Sequence, residues 1–127
     1  MASKYLFINT RDELLRLDCT KVVYMEGDGN YTNIILANKI KTPIGMNLSE
    51  MQRLITESRK ERASIYARIG KRYIINLKYL YRINTLQQTL TLTDSETFAY
   101  QLKVSKEALK QLKAMIVQGI KSSNNKE

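Results

Sequence analysis

The sequence contains no histidine and no tryptophan, and its 127 residues include one cysteine and one proline. Without histidine, neither a Ser-His-Asp nor a Cys-His catalytic arrangement can form. One thiol cannot close an intramolecular disulfide, and without histidine it cannot complete a zinc site of known spacing. The carboxylates are scattered, with no motif that pairs them for acid–base chemistry. We therefore predict a protein that is not an enzyme, with no catalytic residue, no metal site and no cofactor, and we expect Cys19 to be a small, partly buried core residue.

Long apolar runs are also absent. No stretch reaches the roughly 18 residues of a membrane helix, and no apolar segment of a signal peptide follows the N-terminus. A length of 127 residues suits one domain, and no Ser-, Gly- or Pro-rich linker divides it. We therefore expect a cytoplasmic protein without membrane contact, consisting of one domain over residues 1–120 and a disordered polar tail over residues 121–127.

Acidic residues are the minority among the charged ones. The chain has 21 Lys and Arg against 12 Asp and Glu, so its formal net charge is +9 at pH 7. Such a surface attracts polyanions at long range and releases counterions when it meets phosphates. Basic charge also keeps proteins soluble, so this balance favours a nucleic-acid partner without establishing one.

Period-two alternation of apolar and polar residues dominates the chain and predicts short strands. Helical spacing occurs twice, over residues 46–58, where Asn47 and Glu50 approximate a capping box, and after Ser105, where Leu109 and Leu112 begin an apolar stripe that continues to Ile120. We therefore predict a mostly β fold with two short helices and antiparallel hairpins. The strand candidates are residues 4–8, 14–17, 21–26, 31–37, 40–44, 65–69, 73–75, 79–83, 89–93 and 98–104.

Four motifs occur in a specific order. Residues 23–32 read Val-Tyr-Met-Glu-Gly-Asp-Gly-Asn-Tyr-Thr, residues 46–51 read Met-Asn-Leu-Ser-Glu-Met, and residues 104–106 read Val-Ser-Lys. Residues 66–77 read Tyr-Ala-Arg-Ile-Gly-Lys-Arg-Tyr-Ile-Ile-Asn-Leu. This last run resembles the hallmark of the LytTR family of bacterial transcription regulators, an aromatic residue and any residue followed by Arg-Ile-His-Arg-Ser-Tyr-Ile-Val-Asn. The other three resemble further family motifs, so the resemblance covers roughly residues 21–112.

The resemblance implies layered antiparallel β-sheets and sequence-specific binding of double-stranded promoter DNA. LytTR domains insert loops into successive major grooves and bend the duplex. Carried over by position, the DNA-binding residues are Asn30, Tyr31, Thr32, Asn33, Gly70, Lys71, Arg72 and Lys106.

This chain departs from the family pattern at several of these positions. Gly70 replaces the usual histidine, Lys71 the usual arginine and Arg72 the usual serine, and Lys106 stands where the family usually has arginine. The changes keep or raise positive charge, so phosphate binding is preserved. They put base contacts at these positions in doubt, because lysine lacks the rigid fork with which arginine reads guanine.

The residue types support the assignment in part. The amides of Asn30 and Asn33 suit base edges, and Gly70 lets the backbone approach a phosphate closely. Lys71 and Arg72 add two cations beside it, which would position a duplex without specifying its sequence. Each residue also has a purely structural interpretation, as part of a turn, a strand or a solvated surface.

The resemblance leaves assembly and rival functions open. Many family members carry a receiver domain, but the residues before residue 21 are too few for one, so we expect a stand-alone domain that binds repeated half-sites as separate monomers or a weak homodimer. Residues 4–8 or the terminal helix would form that contact. The alternatives are a single-stranded nucleic-acid-binding β module that stacks bases on Tyr79 and Tyr81, and a protein-interaction module with an exposed strand edge.

Overall fold

The computed structural model describes residues 4–58 and 64–124, which form ten strands and two α-helices. Each strand pairs with its neighbours in antiparallel fashion, in three separate sheets. The expected mostly β class with layered antiparallel sheets is thus confirmed. The elements are β1 (Tyr5–Asn9), β2 (Leu14–Asp18), β3 (Val22–Asp28), β4 (Tyr31–Leu36), β5 (Lys41–Ile44), α1 (Leu48–Thr56), β6 (Tyr66–Ile69), β7 (Tyr73–Asn76), β8 (Leu80–Asn84), β9 (Thr89–Thr93), β10 (Ala99–Lys103) and α2 (Lys106–Asn124).

A five-stranded sheet, in the order β5-β4-β3-β7-β6, forms the centre of the molecule. Both of its faces are covered, because neighbouring residues such as Ile34 and Ile35 point to opposite sides and each enters a different apolar cluster. The β8–β10 sheet and α2 cover one face, and the β1–β2 hairpin and α1 cover the other. Burial on both faces makes this sheet a rigid support for the turns at its ends.

Helix α1 begins with the capping box that the sequence predicts. The Asn47 side chain accepts a hydrogen bond from the Glu50 backbone N–H at 2.8 Å, and the Glu50 carboxylate accepts one from the Asn47 N–H at 3.2 Å. Leu48, Met51 and Ile55 are buried against the central sheet. The helix covers Leu48–Thr56, slightly less than the predicted residues 46–58.

Helix α2 is capped by Ser105, whose hydroxyl accepts a hydrogen bond from the Ala108 N–H at 3.3 Å. Leu109 and Leu112 are buried as expected, but Ile120 is 52% exposed, so the apolar stripe is covered only in its first half. With 19 residues, this helix is longer than the predicted short one. It continues to Asn124 and so includes residues 121–124, the first part of the expected polar tail, whereas residues 125–127 lie outside the described part.

A buried polar residue, Asn76, fixes the entry from the central sheet into β8. Asn76 is fully buried, and its amide donates to the Val22 carbonyl at 2.8 Å and accepts from the Lys78 N–H at 2.9 Å. Asn76 caps the 3-10 turn Leu77–Tyr79 that leads into β8. Thr89, at the start of β9, is also buried.

Cys19 is 3% exposed and belongs to the apolar cluster beneath the β1–β2 hairpin, as the sequence predicts. Within residues 4–58 and 64–124, no helix is long and apolar enough to cross a membrane.

Candidate nucleic-acid interface

The tip of the β3–β4 hairpin presents two of the predicted site residues to solvent. Asp28 pairs with Tyr31, which leaves Gly29 and Asn30 as a two-residue turn. Gly29 has φ +61°, in the left-handed region that favours glycine, as two-residue hairpin turns require. Asn30 is exposed, and the Tyr31 side chain next to it is 57% exposed. Both side chains are therefore accessible to a ligand.

The next two predicted site residues, Thr32 and Asn33, are buried. Thr32 has no exposed surface, and its hydroxyl donates to the Met46 carbonyl at 2.8 Å, which joins β4 to the turn before α1. Asn33 is 8% exposed and lies opposite Glu26 in the sheet. In this conformation Thr32 cannot touch a ligand, because the layer with α1 covers its face of the sheet.

The turn between β6 and β7, residues 70–72, is the most basic predicted segment, and we name it the basic loop. Gly70 has φ +58°, so a left-handed backbone explains glycine here as well as close phosphate approach would. All three residues are exposed. In the described part of the chain, no hydrogen bond or ion pair engages the Lys71 ammonium group.

Arg68, in β6 just before the basic loop, donates three hydrogen bonds. Its Nε donates to the Gly70 carbonyl at 3.1 Å, and its Nη2 donates to the Lys71 carbonyl at 3.1 Å. Its Nη1 donates to the Gln52 side chain of α1 at 2.8 Å. The guanidinium group therefore joins two successive carbonyls of the loop to a helix on the face of the sheet.

Arg72, at the end of the basic loop, is paired with a carboxylate. Its Nε and Nη2 lie 2.7 Å and 2.5 Å from the same oxygen of Glu26. The hydrogen bond from Arg72 to Glu26 raises the pKa of the Arg72 guanidinium above its ordinary value. The cation that the sequence assigns to phosphate binding is thus engaged within the protein.

The three predicted segments adjoin one another. The Gly27 N–H donates to the Arg72 carbonyl at 2.9 Å, which joins the hairpin of β3 and β4 to the basic loop. A Cβ placed on Gly70 would lie 3.8 Å from the Cβ of Ala108, so the basic loop also contacts the first turn of α2, where Lys106 is exposed. The exposed residues of the three segments therefore lie side by side.

A cleft of about 300 Å³ lies between the basic loop, the end of β3 and the start of α1. Ser49, in the first turn of α1, is an exposed residue of this cleft that the sequence analysis did not assign to the site. The capping box was the available signal, because it marks a helix N-terminus whose free N–H groups favour anions. The lining residues are Gly27, Gly29, Asn47, Leu48, Ser49, Arg68, Lys71 and Arg72.

A comparison with protein families matches residues 12–117 to the family model of the LytTr DNA-binding domain. The chain belongs to the LytTR family. The match confirms the resemblance carried by the sequence motifs, and it makes this chain a DNA-binding domain of the kind found in transcription regulators.

Two curated relatives of this LytTR domain come from Paraburkholderia xenovorans. They are the heme-containing CO-sensing transcriptional regulators RcoM 1 and RcoM 2, which are 27% and 24% identical to it over 106 residues. The alignment covers 84% of this chain but spans only 37% of the length of each relative.

A solved structure, the LytTr DNA-binding domain of a putative methyl-accepting/DNA response regulator from Bacillus cereus, has the same fold. It superposes with a TM-score of 0.60 at 16% identity, covering 91% of this chain and 98% of the solved one. At this identity the likeness establishes the fold alone.

The LytTR domain offers little support for base stacking on Tyr79 and Tyr81. Tyr79 is 7% exposed, and its hydroxyl donates to the Thr20 carbonyl at 2.8 Å, so its ring belongs to the core. Tyr81, in β8, is 65% exposed, but the buried ring of Tyr79 cannot form a stacking platform with it. A stacking platform needs successive accessible rings.

Proposed function

We propose that this LytTR domain binds double-stranded promoter DNA in a sequence-specific manner, as the DNA-binding part of a bacterial transcription regulator in the cytoplasm. One observation carries the proposal. The exposed residues of three separate segments adjoin at one end of a sheet that is buried on both faces, so a single duplex could touch all of them.

Within this interface we assign different roles to polar and cationic groups. Asn30 and Tyr31 project from the hairpin tip, where an amide can read a base edge in the major groove. Lys71 and Lys106 supply charges for phosphates, and the backbone at Gly70 allows a close approach. Thr32 and Asn33 are omitted from the contact set because they are buried.

The proposal extends to the shape of the complex. The hairpin tip and the basic loop enter the major groove, and the duplex bends so that the start of α2 can reach a further phosphate. The domain binds repeated half-sites, as separate monomers or as a weak homodimer. The printed names of the two Paraburkholderia relatives describe transcriptional regulators, which supports a regulatory role for this chain as well.

Selection of bound sequences from a random duplex pool tests the proposal most directly. We expect an enriched motif, with two copies at a fixed spacing if half-sites are used. Equal affinity for single strands and duplex would favour the single-stranded module instead. Binding that is absent at every salt concentration would favour a protein-interaction module.

A salt titration then tests the position of the interface. With Lys71→Ala, the slope of log K against log salt should become shallower by about 0.9, the value for one lost phosphate contact. Lys41→Ala is the matched control, because Lys41 is exposed at the end of β5 that lies away from the Tyr31 turn. An unchanged slope for Lys71→Ala, or an equal change for both variants, would contradict the assignment.

A further inference from the structure

We propose that Arg68 and Arg72 are positioning residues, which hold the basic loop in its DNA-binding conformation, and that Lys71 is the side chain of this loop that neutralises a phosphate. The inference rests on the proposed function and separates cations that hold the loop from the cation that contacts DNA. On the basis of charge alone, Arg68, Lys71 and Arg72 would all be assigned to DNA.

Arg68 uses three of its five N–H donors for contacts within the protein. Its Nε, Nη1 and Nη2 each donate one hydrogen bond, to the Gly70 carbonyl, the Gln52 side chain and the Lys71 carbonyl at 3.1, 2.8 and 3.1 Å. Two of these acceptors are consecutive backbone carbonyls, which a planar guanidinium can reach together. A lysine at this position has one nitrogen and cannot span the same three acceptors. The loop backbone is therefore fixed by the side chain of Arg68, which has each of its three nitrogens engaged within the protein.

Arg72 joins the other end of the loop to β3. Its guanidinium binds the Glu26 carboxylate, and its own carbonyl accepts the hydrogen bond from the Gly27 N–H at 2.9 Å. The Glu26 side chain is 24% exposed, so its charge is partly withdrawn from solvent. If Arg72 bound a DNA phosphate instead, the Glu26 carboxylate would lose its ion-pair partner and lie close to a second negative charge. As a neutral pair, Arg72 and Glu26 release no counterion when DNA binds.

Lys71 lies between these two fixed points. Its carbonyl is held by Arg68, the next residue is anchored to β3, and the preceding Gly70 takes the left-handed backbone that the turn requires. Within residues 4–58 and 64–124, the Lys71 ammonium group has no hydrogen-bond or ion-pair partner. The loop backbone is therefore held on both sides of Lys71, and the Lys71 ammonium group is available to bind a phosphate.

The test compares salt titrations of four variants on one duplex. Lys71→Ala should lower the slope by about 0.9, whereas Arg68→Gln and the charge-balanced double variant Glu26→Gln/Arg72→Gln should weaken binding by at least about twofold at each salt concentration and leave the slope unchanged. Glu26→Gln should change the slope in the direction opposite to Lys71→Ala. It removes the carboxylate that neutralises Arg72, so the slope should become steeper, by up to about 0.9.

A double-mutant cycle distinguishes positioning from general damage to the fold. If Arg68 acts through Lys71, then Arg68→Lys should cost less affinity in a Lys71→Ala background than in the parent. General damage would cost the same in both backgrounds and would lower the unfolding midpoint. Gln52→Ala removes one of the three Arg68 hydrogen bonds from an exposed helix residue and serves as the second variant if Arg68→Lys does not fold.

The outcomes separate this inference from the proposed function. A loss of about 0.9 in slope for Arg68→Gln, or for the double variant Glu26→Gln/Arg72→Gln, would make the arginine concerned a phosphate ligand and overturn the inference while leaving the interface in place. A slope that does not respond to Lys71→Ala would instead remove the basic loop from the interface. Additive effects in the cycle would also overturn the positioning role.

Discussion

Replacing Thr32 by valine separates two roles that the sequence motif allows, a contact to DNA and a contact within the fold. Valine has nearly the shape of threonine but no hydroxyl, so the hydrogen bond to the Met46 carbonyl is lost. Thr32 has no exposed surface, and its hydrogen bond to the Met46 carbonyl is partly buried. Loss of such a hydrogen bond costs about 0.5–1.5 kcal/mol.

The size of the expected effect follows from the length of the chain. For a domain of this size, a change of 1 kcal/mol shifts the unfolding temperature by about 4 °C, so Thr32→Val should lower it by about 2–6 °C. Thr32→Ser keeps the hydroxyl and serves as the control, with a smaller loss that reflects only the missing methyl group.

Two measurements on the same protein decide between the roles. Urea unfolding reports the stability of Thr32→Val, and selection from a random duplex pool reports its sequence preference. We expect lower stability with an unchanged motif. If stability stays at the parental value and the selected motif changes, Thr32 reads DNA, and the burial argument is refuted.

Three further predictions concern other residues. Asn30→Ala should change the selected motif at one position more than it changes overall affinity, because its side chain projects from the turn; an identical motif would make Asn30 a turn residue only. Asn76→Ala should destabilise the protein by at least about 2 kcal/mol in urea unfolding, since it removes two buried hydrogen bonds, and a loss near zero would contradict this. Desolvation alone would raise the pKa of Asp94, but hydrogen bonds from the backbone N–H groups of Glu96, Thr97 and Phe98 outweigh it and hold this pKa well below its ordinary 3.8. Its contribution to stability is therefore present above about pH 4 and lost on further acidification, so the stability difference between the parent and Asp94→Ala should shrink from about pH 6 to about pH 2.

Local chemistry was the part of the fold that could be predicted. The alternation of apolar residues identified the strands, and Asn47 with Glu50 identified the start of α1 because a capping box uses only neighbours in sequence. The side chain of Asn76 caps the 3-10 turn that follows it, which again is a contact between neighbours in sequence. The exposed second half of α2 was not predictable, because an apolar stripe does not reveal how far its covering layer extends.

The candidate site was predictable only in outline. The motifs placed a hairpin tip, a basic loop and a helix start in the interface, but they treated Asn30 and Thr32 alike. Thr32 is buried because β4 lies inside a sheet that is covered on both faces, and two-sided burial depends on elements distant in sequence. The pairing of Arg72 with Glu26 has the same origin, since the two residues are 46 positions apart.

The sequence by itself determined the class of the protein. Its charge, its lack of histidine and its four ordered motifs indicated a LytTR DNA-binding domain, because family motifs and turn-forming residues act over a few neighbours. The tertiary structure alone decided which cationic side chains form hydrogen bonds or ion pairs within the protein. The packing of the layers pairs Arg68 of β6 with α1 and Arg72 of the basic loop with β3, while Lys71 stays accessible.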